Sequence, residues 1–138
     1  MPLTLTASEG VFSEGKEKIA FQKLSETMLK LHGLTGNRFM LHNVVGSIHI
    51  IKKDHTYTGP KEANVVFIEW KVPSFVFTNR ETQKMYVAEA TQIICDLTEG
   101  MHPKENVWIN VVHAVEGIWG IAGQALTNEE LIRAASES

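Results

Sequence analysis

Leu3, Leu5 and Ala7 alternate with Thr4, Thr6 and Ser8, which predicts a strand with one face turned inward. Glu9-Gly10 ends it, and Ser13 is placed to cap the helix that follows. From about Glu14 to His32, the residues Ala20, Leu24, Met28 and Leu31 recur at spacings of four, four and three. That spacing predicts an amphipathic helix. Gly33 and Gly36, around Leu34-Thr35, mark its C-terminal stop. Asn43 to Ile51 is rich in β-branched residues and reads as a second strand.

The pattern then repeats. Lys52 to Glu62 is polar, with Asp54, Gly59 and Pro60, and reads as a turn-rich loop. Asn64 to Val72 is a third strand, with Val66, Ile68, Trp70 and Val72 on one face. Thr78-x-x-Glu81 matches a capping box for a second helix running to about Thr98. On that helix Val87, Ala90, Ile94 and Leu97 form the apolar stripe. Gly100 and Pro103 close it, and Val107 to His113 is the fourth strand. The tail holds Gly117, Gly120 and Gly123, then Thr127-Asn-Glu-Glu130, a second capping box before a short final helix.

The order is therefore β-α-β twice, in units of about 2–51 and 64–113, with a tail over 114–138. Leu34-Thr35-Gly36 after the first helix is echoed by Leu97-Thr98-Glu99-Gly100 after the second. Each unit needs a crossover, and crossovers are right-handed. Two such units side by side predict an α+β fold, a four-stranded sheet with both helices on one face. The other sheet face carries apolar side chains, with Trp70 or Trp108 among the candidates. A monomer would leave that face in water, which predicts an oligomer.

Composition narrows the function classes. The 138 residues suit a single domain over 1–138, long enough to bury a core. Hydrophobic residues make up 43% and charged ones 21%, ordinary proportions for a soluble globular protein. A net charge of −3 argues against charge-driven binding to nucleic acid or a membrane surface. No Gly-Phe/Tyr-Gly/Ala-Phe segment of an RNA-binding β-α-β-β-α-β domain is present. Cys95 is alone, so no internal disulfide forms, and with no apolar leader or spanning run the expectation is a cytoplasmic protein. The six histidines lack metal-motif spacing, and neither a metal nor another cofactor is expected.

Candidate chemistry centres on Pro2. A small residue in second place normally lets the initiator methionine be removed, which would leave a proline secondary amine at the head of a buried strand. An α-amino group titrates at about 7.7–8.0 when unperturbed. Burial beside cations lowers that value, so a terminal Pro2 can serve as a neutral general base. Arg80 is the second candidate. It falls in the first turn of a helix, where its charge opposes the dipole, and its guanidinium can hold a carboxylate in bidentate fashion.

Pro2 opening a β-α-β repeat, with Asn79-Arg80-Glu81-Thr82-Gln83-Lys84 starting the second helix, resembles the tautomerase superfamily. In that family the segment commonly reads Gly-Arg-Ser/Thr-x-x-x-Lys. Trp119-Gly120-Ile121-Ala122-Gly123 is similar to the family's Trp-Gly-x-Gly-Gly ending, with alanine replacing one glycine. The length and His32-Gly33-Leu34-Thr35-Gly36 look most like the cis-3-chloroacrylic acid dehalogenase group. The resemblance implies catalysis by an amino-terminal proline, a homotrimer, and small carboxylated substrates. It assigns Pro2 as the catalytic amine and Arg80 as the carboxylate holder.

This chain also departs from the dehalogenase group. Phe77 stands where that group has a second arginine. Its catalytic histidine aligns with Leu31, and His32 follows one place later. Its fourth-strand tyrosine aligns with Asn110, and Glu116 is the nearest residue to its water-activating glutamate. His32 at a helix end also suits a cap role, and Asn110 either bonds a neighbour or faces the site. Trp119 can wall a pocket or meet another subunit, and Arg38 is a second candidate for the anion. The expectation is a tautomerase-like enzyme acting on a small carboxylated enol or unsaturated acid. The alternatives are a cis-3-haloacrylate dehalogenase or hydratase, and a silent trimer that binds a ligand or partner.

Overall fold

The alternation of the first eight residues becomes strand β1 (Pro2–Ser8), with Leu3, Leu5 and Ala7 completely buried on one face. The computed structural model describes residues 1–138. Helix α1 (Lys16–Leu31), a short helix α2 (Arg38–Asn43) and strand β2 (Val45–Ile51) complete the first unit. A small hairpin of β3 (Tyr57–Thr58) and β4 (Lys61–Glu62) leads to the second unit. That unit is β5 (Val66–Val72), α3 (Arg80–Leu97) and β6 (Val107–His113). The tail forms a second hairpin, β7 (Trp119–Ile121) with β8 (Gln124–Leu126), and ends in α4 (Asn128–Ser136).

Within each unit the two strands are parallel, and β1 meets β5 antiparallel, giving the order β2-β1-β5-β6. Both long helices cover one face and pack on each other. Ala20, Leu24 and Met28 of α1 and Ala90 and Ile94 of α3 meet Leu5, Ile68 and Val72 of the sheet in one core. The expected four-stranded α+β arrangement, with a parallel strand pair in each unit, is the one observed.

Several local expectations need correction. Asn79, not Thr78, caps α3, its side chain accepting from the Glu81 and Thr82 N–H groups. Thr78 instead donates its hydroxyl to the Phe75 carbonyl. Gly15, at φ +87°, precedes α1 without any side-chain cap, and Ser13 lies in the turn before it. Residues 38–43 form α2 because Asn37 caps it, accepting from the Met40 N–H, so β2 starts later than alternation suggested. Tyr86 rather than Val87 fills the buried stripe of α3. The Thr127–Glu130 capping box is present as read.

Trp70 is wholly buried under the helices, while Trp108 is 39% exposed on the opposite face. On that open face strand register lines up three rows. Val45, Pro2, Lys71 and Val112 form one end, and Thr6, Phe67 and Trp108 lie toward the other. Thr4, Ser47, Glu69 and Asn110 make a polar belt between them. The open face therefore has a polar middle and mixed ends, where Val45, Val112, Phe67 and Trp108 stand among Lys71, Thr6 and His49.

Candidate functional site

Pro2 sits where β1 begins, on the open-face row, and the chain around it is walled by the tail. A cavity of about 440 Å³ is bordered by Pro2, Val45, Lys71, Val112, Ile118 and Trp119. Lys71 is the only Asp, Glu, Lys or Arg side chain on its wall. It lies one residue past the Leu3–Trp70 pair, on the side of the sheet that Pro2 shares. His113 also borders this space, with its Nε2 donating to the Val76 carbonyl at 2.7 Å.

Met1 is 6% exposed, and its amine donates to the Asn43 carbonyl. Burial alone holds that amine down, from 8.0 to about 6. Arg80 plays no part in this shift. With Met1 attached, the Pro2 nitrogen is a tertiary amide, without a basic lone pair.

A second cavity of about 510 Å³ adjoins the first, and Met1, Asn43, Trp119 and Ile121 border both. It lies between the end of α1, helix α2, the loop after β5 and the tail helix α4. Most of its lining is apolar, and it contains no Asp, Glu, Lys or Arg. His32 also borders it, and both ring nitrogens are engaged. Nδ1 donates to the Met28 carbonyl at 2.9 Å, and Nε2 accepts the Phe77 N–H at 3.3 Å. The residue is the C-cap of α1, the structural role its position allowed.

Phe77 lies in the aromatic core beside the end of α1. Its ring is buried against His32, Trp70 and Tyr86, with centroids 4.7, 6.5 and 5.0 Å away. Its backbone has φ +57°, a left-handed conformation costing on the order of 1–3 kcal/mol for a non-glycine residue. The burial and a hydrogen bond from Gln83 Nε2 to its carbonyl, 2.8 Å, hold it there.

Of the seven site residues read from sequence, Pro2, His32 and Trp119 border the two adjoining cavities. Arg80 does not. It opens α3 on the outer surface, in a groove shared with Lys84 and Lys104, and donates to Gln83 Oε1 at 3.4 Å. Arg38 begins α2 and borders neither cavity. Asn110 lies in the polar belt opposite Glu69. Glu116 accepts the Asn128 N–H at the start of α4 on one oxygen, Oε1, and borders neither cavity. Sequence reading missed Lys71 and the Met1 wall. Alternation did put Lys71 on the face opposite Trp70, but only the β1–β5 register brings it beside Pro2.

No family model matches the chain, and no curated protein matches it in sequence. Solved structures of the tautomerase superfamily do share its fold. Pt0534 inactivated by 2-oxo-3-pentynoate superposes at a TM-score of 0.73 and 16% identity, over 95% of this chain and 98% of that one. N1, a member of the cis-3-chloroacrylic acid dehalogenase family, gives 0.74 and 14%, over 96% and 90%. A fused 4-OT described as a wild type symmetric trimer gives 0.73 and 12%, over 95% and 98%. The fold expected from the resemblance is thus the fold observed.

Proposed function

We propose that this protein is a tautomerase-type enzyme, working as a homotrimer, whose processed amino terminus is Pro2. The observation that carries the reading is the cavity that places Pro2 at a buried chain start with Lys71 as its one charged neighbour. Burial depresses the Met1 amine at this strand start, and loss of Met1 would leave the Pro2 amine at the head of β1, facing the cavity that Lys71 borders. The neutral nitrogen then takes a proton from an enol hydroxyl or an activated carbon. The resulting ammonium returns it to the conjugated carbon, leaving the keto isomer. Lys71 stabilises the carboxylate or the developing enolate, the electrostatic contribution that matters most in such reactions.

Arg80 stands apart from Pro2 in the same chain, so its carboxylate-holding role belongs to the site of a neighbouring subunit in the trimer. Val45, Val112, Phe67 and Trp108, exposed on the open face, supply apolar surface for that assembly. Hydration of 3-haloacrylates ranks below tautomerisation. It needs a base for water, and Glu116 borders neither cavity.

The test is a panel of phenylenolpyruvate, 2-hydroxymuconate and 3-haloacrylates, with intact mass confirming loss of Met1. Turnover of the enols should show an ascending pH limb below the ordinary terminal-amine value, and Pro2→Ala should abolish it. Full activity from chains that keep Met1 would refute the proline mechanism. Rapid halide release, abolished by Glu116→Gln, would reverse the order of the two reactions.

A further inference from the structure

Met1 is a partition. Its side chain is buried between the Pro2 cavity and the apolar chamber beneath α4, and it borders both. Removing it would free the Pro2 amine and take away a wall in one cleavage. We propose that the processed protein binds, in one continuous pocket, a carboxylic acid that carries an apolar arm of about six to eight carbons. The acid end lies at Pro2 and Lys71, and the arm enters the chamber under α4. This deepens the tautomerase reading by naming the substrate class of that same site.

The chamber's chemistry sets the nature of the arm. Met28, Phe39, Met40, Val76 and Leu131 present carbon and sulfur to it. The side chains of Asn37, Asn43 and His32 on its wall are already paired within the chain. Asn37 donates to the Ala135 carbonyl at 2.7 Å and accepts the Met40 N–H at 3.0 Å. Asn43 donates to the Phe39 carbonyl at 2.8 Å, and both His32 nitrogens are engaged. A polar arm would have to break these bonds, whereas an apolar arm gains by leaving water. The volume, about 510 Å³, lies within the range of sites that enclose small organic ligands. The charge is at the other end, on Lys71, which fixes the ligand's direction.

The experiment compares acetate with octanoate by calorimetry. It uses Met1-free protein, verified by mass, and a form with Gly-Ser ahead of Met1. Each buried CH₂ carries roughly a fourfold factor in affinity, so with only half of octanoate's extra CH₂ groups buried it should still bind the Met1-free protein ~60-fold more tightly than acetate. In the extended form that advantage should disappear. Ala135→Phe, which fills the chamber, should also remove it, and Ile132→Trp on the same wall is the second variant should the first not fold. Equal affinity for the two acids in Met1-free protein overturns the proposal, as does an octanoate advantage that survives in the extended form. Enol turnover measured on the same Met1-free protein separates this from the catalytic reading. Octanoate selectivity without any tautomerase activity in the unmutated protein would sustain the chamber and sink the proline chemistry.

Discussion

The buried hydrogen-bonded pair under the sheet gives the sharpest energetic prediction. Trp70 Nε1 donates to the Tyr86 hydroxyl at 2.7 Å, and that hydroxyl donates to the Leu24 carbonyl at 3.1 Å. Trp70 and Tyr86 are 0% and 1% exposed, so no water can substitute for a lost partner. Tyr86→Phe keeps the ring and its edge contact with Trp70, centroids 6.3 Å apart. It leaves the indole N–H without an acceptor, while the Leu24 carbonyl lies mid-helix and keeps its helical bond. An orphaned buried donor costs about 1–3 kcal/mol, and ~2 kcal/mol is expected here. For a chain of this size that is a fall in Tm of roughly 8 °C. Urea denaturation should be run at two protein concentrations, because an oligomer's stability depends on concentration. Trp70→Phe added to Tyr86→Phe removes the orphan, so the double-mutant cycle should show coupling of about 1 kcal/mol or more. A Tyr86→Phe loss under about 0.5 kcal/mol, with no coupling, would show that the pair does not stabilise the core as described.

Three further outcomes are expected. Gly46→Ala should cost about 2 kcal/mol or more in denaturation, because a Cβ there would drive into the Leu3 carbonyl oxygen with the Phe21 ring 2.9 Å away. In the Met1-bearing chain, the amine lowered from 8.0 to about 6 is neutral when folded and protonated when unfolded between those values. Stability should therefore rise with pH through that window, be complete above 8, and fall as pH drops to 6. Discounted for the solvent that still screens the amine, the gain is ~1–2 kcal/mol, and it should be missing from N-acetylated protein. Lys71→Ala and Arg80→Ala should each raise KM for an acidic enol by about 10- to 100-fold, the worth of one charge-assisted contact. An unchanged KM in steady-state assays of Lys71→Ala would remove it from the anion site.

The strands and long helices were legible because each obeys a single dominant period. The duplicated order followed from them, and with it the sheet. What escaped depends on pairing rather than pattern. Thr78 and Asn79 both suit a cap, and only the backbone's path through Phe77 decides between them. Val87 and Tyr86 differ by one position on α3, and the Trp70 indole, which needs a buried acceptor, selects Tyr86. The same limit applies to the site. Pro2, His32 and Trp119 carried signals in the sequence, whereas Lys71 gained meaning only from the register of β1 against β5. Arg80 was conspicuous on its helix, yet its surface position separates it from Pro2 within one chain.

The seam between the two units pairs Leu5 with Ile68, and the half-turn that exchanges the units carries Pro2 onto Val65. The two positions are chemically unequal. The Val65 N–H donates to the Ser8 hydroxyl at 2.8 Å, and that hydroxyl meets Thr56 Oγ1 at 2.8 Å. A peptide chain that folds as two copies of one motif still has one beginning. The second copy can imitate the shape of the first, but its matching nitrogen is an internal amide, already spoken for. Stoichiometry follows from topology: any amine-dependent chemistry in this architecture counts one centre per polypeptide, however many times the motif is repeated within it.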